Sequence, residues 1–259
     1  MISVYDKEQI MKDVSFLTST RFVHRGLHDN KTIPENSLIA FKNAVDHGYG
    51  IEFDVYLTDD NNLIIHHDKC IKRTTGIDTT TYKIDTSHLE NYKLYGTEHS
   101  IPLLRDMLKL VDGQVPLILE IKTTHKIKAT CTAIFDMISK YNGPICVESF
   151  DFRIVNWWLK HHPEFVIGQL YGDSKIVNSY LRSTRQYKRV DFVAPSCNLL
   201  ITDYFKTIHD KKSDLLVVNW TVKTPDHLKN ALQYADNFIF EYNGKNDSYI
   251  SLDDVPPTQ

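Results

Sequence analysis

Short apolar, β-branched-rich runs recur along the chain: 22–24, 51–57, 63–66, 117–121, 145–147, 165–170, 191–194, 215–220 and 238–242. Each has the length of a strand, and most segments between them are long enough for a helix and carry its period. The spacing predicts a helix from Ser37 through Val45, with Asn36 as N-cap and Gly48 as stop. Further helices are predicted over Ile127–Tyr141, closing at Asn142-Gly143-Pro144, and from Pro225 through Ala231. Strand, helix, strand in repetition is the βαβ pattern, which implies a parallel sheet or barrel.

One connection departs from it. Thr58-Asp59-Asp60-Asn61-Asn62 is turn chemistry, too short for a parallel crossover, so the strands on either side are expected to be antiparallel neighbours. Setting that arm aside leaves eight strands, the number a closed (β/α)8 barrel requires. The fold expected is therefore α/β, a TIM (β/α)8 barrel with an antiparallel hairpin arm after the second strand. The segment Thr74–Ser100, weakly periodic, is expected to be a small excursion from the rim. No linker or repeat divides the chain, so residues 1–259 are read as one domain, with the tail Asp253–Pro257 expected to fray.

Composition narrows the function classes. The chain has 259 residues, 42% hydrophobic and 24% charged, far from the signature of disorder. Lys+Arg 30 against Asp+Glu 33 gives a net charge of −3, which argues against a nucleic-acid partner. Cys70, Cys131, Cys146 and Cys197 are scattered, as in a reduced compartment. Met1–Glu8 mixes charges too soon for a secretion signal, and no run is long and apolar enough to span a membrane. A cytoplasmic protein without stable membrane insertion is expected, and a homo-oligomer is left open.

Candidate chemistry sits at the ends of the strands. In Ile51-Glu52-Phe53-Asp54-Val55 alternation puts Glu52 and Asp54 on one face. Leu119-Glu120-Ile121-Lys122 repeats the arrangement on the next barrel strand. Three carboxylates converging from adjacent strand ends make an all-oxygen site suited to a hard divalent cation, Mg²⁺ or Ca²⁺, and unsuited to zinc. Phe22-Val23-His24-Arg25-Gly26 ends the first strand, where Arg25 offers a planar fork to a phosphate. His66-His67-Asp68 ends the hairpin arm, and alternation lets only one of the two histidines face the site. Two histidines near a cation and a phosphate clamp suit phosphodiester cleavage, which needs one group to take a proton from the nucleophile and another to protonate the leaving alkoxide.

The ordered set His24-Arg25-Gly26, Pro34-Glu35-Asn36-Ser37, Glu52-Phe53-Asp54-Val55, Leu57-Thr58-Asp59-Asp60, His67-Asp68, Arg73-Thr74-Thr75-Gly76, Ile101-Pro102 and Leu119-Glu120-Ile121-Lys122 resembles the glycerophosphodiester phosphodiesterase family. The match continues more weakly through Glu148-Ser149-Phe150-Asp151 and Asn219-Trp220-Thr221-Val222. The resemblance implies a TIM barrel that hydrolyses glycerophosphodiesters to glycerol 3-phosphate and an alcohol with a divalent metal. Carried over by position, it makes Glu52, Asp54 and Glu120 the metal carboxylates and His24 and His67 the acid–base pair. It also makes Arg25 and Lys122 phosphate-contacting cations, places Glu35 near the metal and the first histidine, and sets Trp220 on the glycerol side.

Two positions depart from the family pattern. The last strand reads Ile239-Phe240-Glu241-Tyr242-Asn243 where an aliphatic-Thr-Asp-x-Pro string is usual, and His66 stands where an aliphatic or aromatic residue is usual. Two other readings compete with hydrolysis of glycerophosphodiesters. One is a phospholipase D-like enzyme releasing cyclic phosphates from (lyso)phospholipids, which the absence of an apolar or basic membrane-binding segment disfavours. The other is an inactive phosphate-ligand binding protein, disfavoured because no metal carboxylate or histidine is missing.

Overall fold

The computed structural model describes residues 12–242 and 249–257. The strands are β1 (Phe22–His24), β2 (Gly50–Leu57), β3 (Leu63–Ile65), β4 (Leu117–Ile121), β5 (Ile145–Ser149), β6 (Val166–Tyr171), β7 (Phe192–Pro195), β8 (Leu216–Val222) and β9 (Asn237–Phe240). The helices are α1 (Phe16–Ser19), α2 (Leu38–Asp46), α3 (Lys72–Thr75), α4 (Leu104–Val111), α5 (Ile127–Ile138), α6 (Phe152–His161), α7 (Lys175–Ser183), α8 (Cys197–Leu200), α9 (Asp203–Lys206) and α10 (Pro225–Tyr234). None is long and apolar enough to cross a membrane among the described residues. The four cysteines are free.

All barrel pairings are parallel, in the order β1-β2-β4-β5-β6-β7-β8-β9, and β1 pairs with both β2 and β9, which closes the ring. β3 stands outside it, antiparallel to β2. The turn that reverses the chain is held as its sequence suggests: the Thr58 backbone N–H donates to the Asn62 carbonyl at 2.9 Å, and the Thr58 hydroxyl accepts from the Asn62 N–H at 3.0 Å. Asn61 takes the left-handed conformation there, φ 62°. The barrel with one hairpin arm is thus the architecture the strand count predicts.

Three local expectations are corrected. Asn36 does not cap α2; Ser37 does, its hydroxyl accepting from the Ala40 N–H at 3.2 Å, while Asn36 turns inward. α5 ends at Ile138 and not at Tyr141, whose hydroxyl leaves the helix line to accept from the Gly113 N–H at 2.9 Å. The tail is tied down: Ser251 and Asp254 form a capping box, and Arg21 Nε donates to the Pro256 carbonyl at 3.1 Å. The N-terminal reading of Met1–Glu8 and the last-strand position Asn243 lie outside the described residues.

Three apolar layers follow from strand alternation. Ile51, Phe53 and Val55 point outward, where they pack under α2, α4 and α5. Phe22, Ile118, Cys146, Val166, Phe192 and Ile239 fill the barrel interior. Tyr56, Ile64, Ile71, Ile84, Leu94 and Leu103 give the hairpin arm and the rim excursion a small core of their own. The interior is tight enough to need glycine: a Cβ on Gly168 would overlap the Phe192 ring. Gly168→Ala is therefore expected to lower stability by about 1–3 kcal/mol, read as a shift in denaturant midpoint. An unchanged midpoint would mean that Phe192 can move aside.

Candidate active site

Barrel register brings the polar residues together. His24 lies opposite Glu52, and Asp54 opposite Glu120, which lies opposite Glu148. The row through His24 and Glu52 runs on into Ile118, Cys146 and Val166. The stagger of the strands therefore carries one row from a polar mouth into an apolar floor. The polar residues of β1, β2, β4 and β5 are joined there by residues from the segments that follow β3, β8 and β9.

Glu52, Asp54 and Glu120 are buried and each offers an oxygen within 4.8 Å of the others. Lys122 Nζ lies 3.1 Å from Asp54 Oδ1 and 2.8 Å from Glu120 Oε1. Arg25 Nε is 3.6 Å from Asp54 Oδ2, and Asn36 donates to the same Asp54 oxygen at 2.7 Å. Burial works against ionisation throughout, but Lys122, His67 and Arg25 outweigh it at Asp54 and hold its carboxyl well below the usual range. Glu52 goes the other way, pushed well up by burial and by Asp54, Glu120 and Glu148. Burial also raises Glu120, to about 7, with Asp54 adding to the shift against the pull of Lys122. The site is anionic beyond what its two cations offset. A hard divalent cation would complete it, and the all-oxygen donor set fits one.

Each histidine is held by a carboxylate that is itself held by a cation. His24 Nδ1 lies 2.8 Å from Glu241 Oε2, and Lys223 Nζ lies 2.9 Å from Glu241 Oε1. His67 Nδ1 lies 2.6 Å from Asp68 Oδ1, and Arg73 Nε donates to Asp68 Oδ2 at 2.6 Å. Because a carboxylate only accepts, the proton in each neutral ring belongs on Nδ1, which leaves Nε2 without a proton. His24 Nε2 faces the acidic cluster, 3.9 Å from Glu52 Oε2. Burial and the neighbouring Arg25 push His24 down to about 4, so it stands neutral at pH 7. Burial lowers His67 as well.

The remaining predicted residues divide. Glu35 is not in the three-carboxylate cluster; it accepts from Arg25 Nη1 at 2.8 Å and Arg73 Nη2 at 2.6 Å, and from the Tyr95 hydroxyl at 3.0 Å. Burial opposes its charge, but Arg73 and Arg25 hold its carboxyl far below the usual range. Glu35 thus anchors Arg25, whose buried Nε has no hydrogen-bond partner and faces Asp54 Oδ2 at 3.6 Å. Trp220 lies at the end of β8, its indole N–H donating to the Ala194 carbonyl at 2.8 Å, so it offers ring surface instead of a hydrogen bond. His66 is turned away, with Nδ1 2.8 Å from the Asp68 carbonyl and Nε2 2.8 Å from Thr74 Oγ1. It ties the end of the arm to the excursion.

Sequence reasoning missed Asn36, Asp68, Arg73, Glu148, Lys223 and Glu241 as parts of this centre. Asn36, Asp68, Arg73 and Glu148 stand in motifs that carry the family resemblance, and Glu241 falls in the departing last strand. Glu148 carries the same alternation as Glu120; it is buried, has one oxygen without a partner, and is pushed well up by burial, Glu120 and Asp54. Nothing local in the sequence marks Lys223, which reaches Glu241 across the β8–β9 bulge.

Residues 24–237 match the model of the glycerophosphoryl diester phosphodiesterase family. A glycerophosphodiester phosphodiesterase of Bacillus altitudinis is 37% identical over 115 residues, 41% of this chain and 45% of that protein. Another, from Caldanaerobacter subterraneus subsp. tengcongensis, is 31% identical over 161 residues, 57% of this chain and 65% of that one. The matches therefore span less than two thirds of either relative's length. A solved phosphodiesterase from Oleispira antarctica, in complex with its product sn-glycerol-3-phosphate, has a TM-score of 0.72 at 21% identity and covers 87% of this chain and 93% of its own. That likeness is one of fold. A family match that starts at His24 and ends on the last barrel strand takes in both histidine ends, the acidic cluster and its lysine: the chain belongs to the glycerophosphoryl diester phosphodiesterase family.

Proposed function

We propose that the protein hydrolyses glycerophosphodiesters to glycerol 3-phosphate and an alcohol, with a divalent cation, Mg²⁺ or Ca²⁺, and two histidines as base and acid. The observation that carries this reading is the acidic cluster flanked by two imidazoles, each oriented through Nδ1 by a carboxylate. Glu52, Asp54 and Glu120 would hold the cation, which when bound supplies positive charge to a phosphate oxygen. Arg25 and Lys122 bind the remaining phosphate charge, and Glu35 keeps the Arg25 fork in place. Trp220 gives the glycerol backbone an apolar wall.

The two histidines divide the proton work by environment. The His24 side chain is 11% exposed and lies beside Arg25, which keeps it neutral and fits it to take the proton from the nucleophile. The His67 side chain is 34% exposed and paired with Asp68, where carrying a second proton costs less, and it gives that proton to the departing alcohol. The phosphorus–oxygen bond to the alcohol breaks as the nucleophile's oxygen joins phosphorus, so one proton enters at His24 and one leaves from His67. Incubation with glycerophosphocholine and glycerophosphoethanolamine, with Mg²⁺, Ca²⁺ or chelator, should release glycerol 3-phosphate only with metal. Absence of release from either substrate with either metal would overturn the reading.

A further inference from the structure

Alternation along β5 sets Cys146, Glu148 and Phe150 on the face that looks into the barrel. Cys146 lies in the interior apolar layer, and Phe150 packs against that layer, edge to face with Trp220 at 5.4 Å. Glu148 between them has no such packing role. It is 2% exposed, lies opposite Glu120 on β4 and opposite Gly168 on β6, and its Oε2 is buried without a hydrogen-bond partner. An unpaired buried carboxyl oxygen is costly, and beside a reactive cluster it points to a partner that arrives with the ligand.

The groups around Glu148 are committed elsewhere. Lys122 Nζ contacts Asp54 and Glu120, the Ser149 hydroxyl donates to the Ile121 carbonyl at 2.6 Å, and the Trp220 indole N–H donates to the Ala194 carbonyl. On the β6 side the space over Gly168 is filled by the Phe192 ring. Glu148 also stands outside the three carboxylates whose oxygens lie within 4.8 Å of one another, so it is not one of the cation's ligands. Its place is the step between that cluster and the aromatic pair. Phe150 and Trp220 in turn line an apolar cavity of about 650 Å³ at the barrel mouth, together with Phe152 and with Val177 of α7.

We propose that Glu148 is the residue that recognises the substrate's glycerol, its carboxyl accepting a hydrogen bond from the glycerol 2-hydroxyl. The proposal rests on the phosphodiesterase reading and adds the group that tells glycerol from other alcohols. With the phosphate in the charged centre and the glycerol carbons along Trp220, the 2-hydroxyl is the first polar group met on leaving the phosphate. Neighbouring strands lie about 4.8 Å apart, a distance that the ester oxygen and the two carbons beyond it span from a phosphate held at β4 to a hydroxyl held at β5. The terminal hydroxyl lies farther out and is left to solvent.

The test measures the binding of glycerol 3-phosphate and of 3-hydroxypropyl phosphate, which lacks only the 2-hydroxyl, by calorimetry with Mg²⁺ or Ca²⁺, beside turnover of glycerophosphocholine. The wild type should bind glycerol 3-phosphate at least about 10-fold more tightly than the deoxy analogue. Glu148→Leu, a neutral side chain of similar size beside Phe192, should weaken glycerol 3-phosphate alone and bring the two affinities within about two-fold of each other. Glu148→Gln, whose amide oxygen still accepts, should keep most of the preference. A residue that served only the fold would move both affinities together. Equal affinity of the wild type for the two ligands, or an equal loss of both in Glu148→Leu, overturns the assignment and leaves the phosphodiesterase standing. A variant that needs more metal but keeps the preference also overturns it, since Glu148 then serves the cation. A wild type that releases no glycerol 3-phosphate from glycerophosphocholine removes both readings.

Discussion

His67→Ala is expected to lose about 10²–10⁴-fold in kcat on glycerophosphocholine and to recover most of it on a glycerophosphodiester with a nitrophenolate leaving group. The same rescue should fail for His24→Ala. The difference follows from the two environments. A nitrophenolate departs without a proton, so the acid becomes dispensable, whereas the nucleophile still has to lose one. Steady-state kinetics on the two substrates, with circular dichroism to verify the fold, checks both variants. Rescue of His24→Ala instead would reverse the assignment, and near-full activity of either variant on glycerophosphocholine would remove that histidine from the chemistry. Because Glu241 keeps Lys223 and Asp68 keeps Arg73 as partners, neither truncation leaves a buried charge alone.

Substitution within the acidic cluster should have opposite signs at neighbouring carboxylates. In chelator at pH 7, Asp54→Asn is expected to lower stability by about 1.5–3 kcal/mol, because it removes the carboxylate that Lys122 and Arg25 share and leaves Lys122 with Glu120 alone and Arg25 with Glu35. Glu52→Gln is expected to be neutral or to raise it by about 1–2 kcal/mol, because it removes a charge that burial, Asp54, Glu120 and Glu148 all oppose, while its oxygen can still accept from the Arg25 N–H. Both variants should lose hydrolysis. Thermal melts with and without Mg²⁺ or Ca²⁺ read the outcome, and equal destabilisation by both would show that Glu52 is compensated without a cation.

The cluster also has a signed pH dependence. Glu120 titrates near 7 when folded and near 4.5 unfolded, so the chelated folded state binds the extra proton and this contribution fades as pH rises through about 7. His24 acts in the opposite direction below 6.5, since burial lowers it to about 4. The difference between wild type and Glu120→Gln isolates the first effect: the wild type should lose more stability from pH 5 to pH 8.

What was legible in the chain was what depends on period and on strand ends. Two-residue alternation told Glu52 and Asp54 from Ile51, Phe53 and Val55, and the five-residue turn told the arm from the ring, because both signals are local backbone geometry. The metal and histidine candidates were legible for the same reason: Glu52 and Asp54 share one face of β2, His24 and Glu120 stand at the ends of β1 and β4, and His67 follows the arm. Partners across the ring were not. Glu241 reaches His24 across 217 residues, Lys122 reaches Asp54 across 68 and Arg73 reaches Glu35 across 38. Such pairings follow from closure and stagger, which no single segment encodes.

The sequence by itself therefore determined the eight-stranded plan, the hairpin arm and the acidic and imidazole groups available for catalysis. Only the tertiary structure decided which of these groups compensate one another. It turned Glu35 into an anchor for Arg25, made the departing Glu241 the partner of His24, and gave Asn36 to Asp54 instead of to a helix end. It also left Ile176 on the surface beside an apolar cavity. The reason is physical: strand period fixes which face a side chain takes, but its charge state, partner and exposure depend on what barrel closure brings within a few ångströms of it.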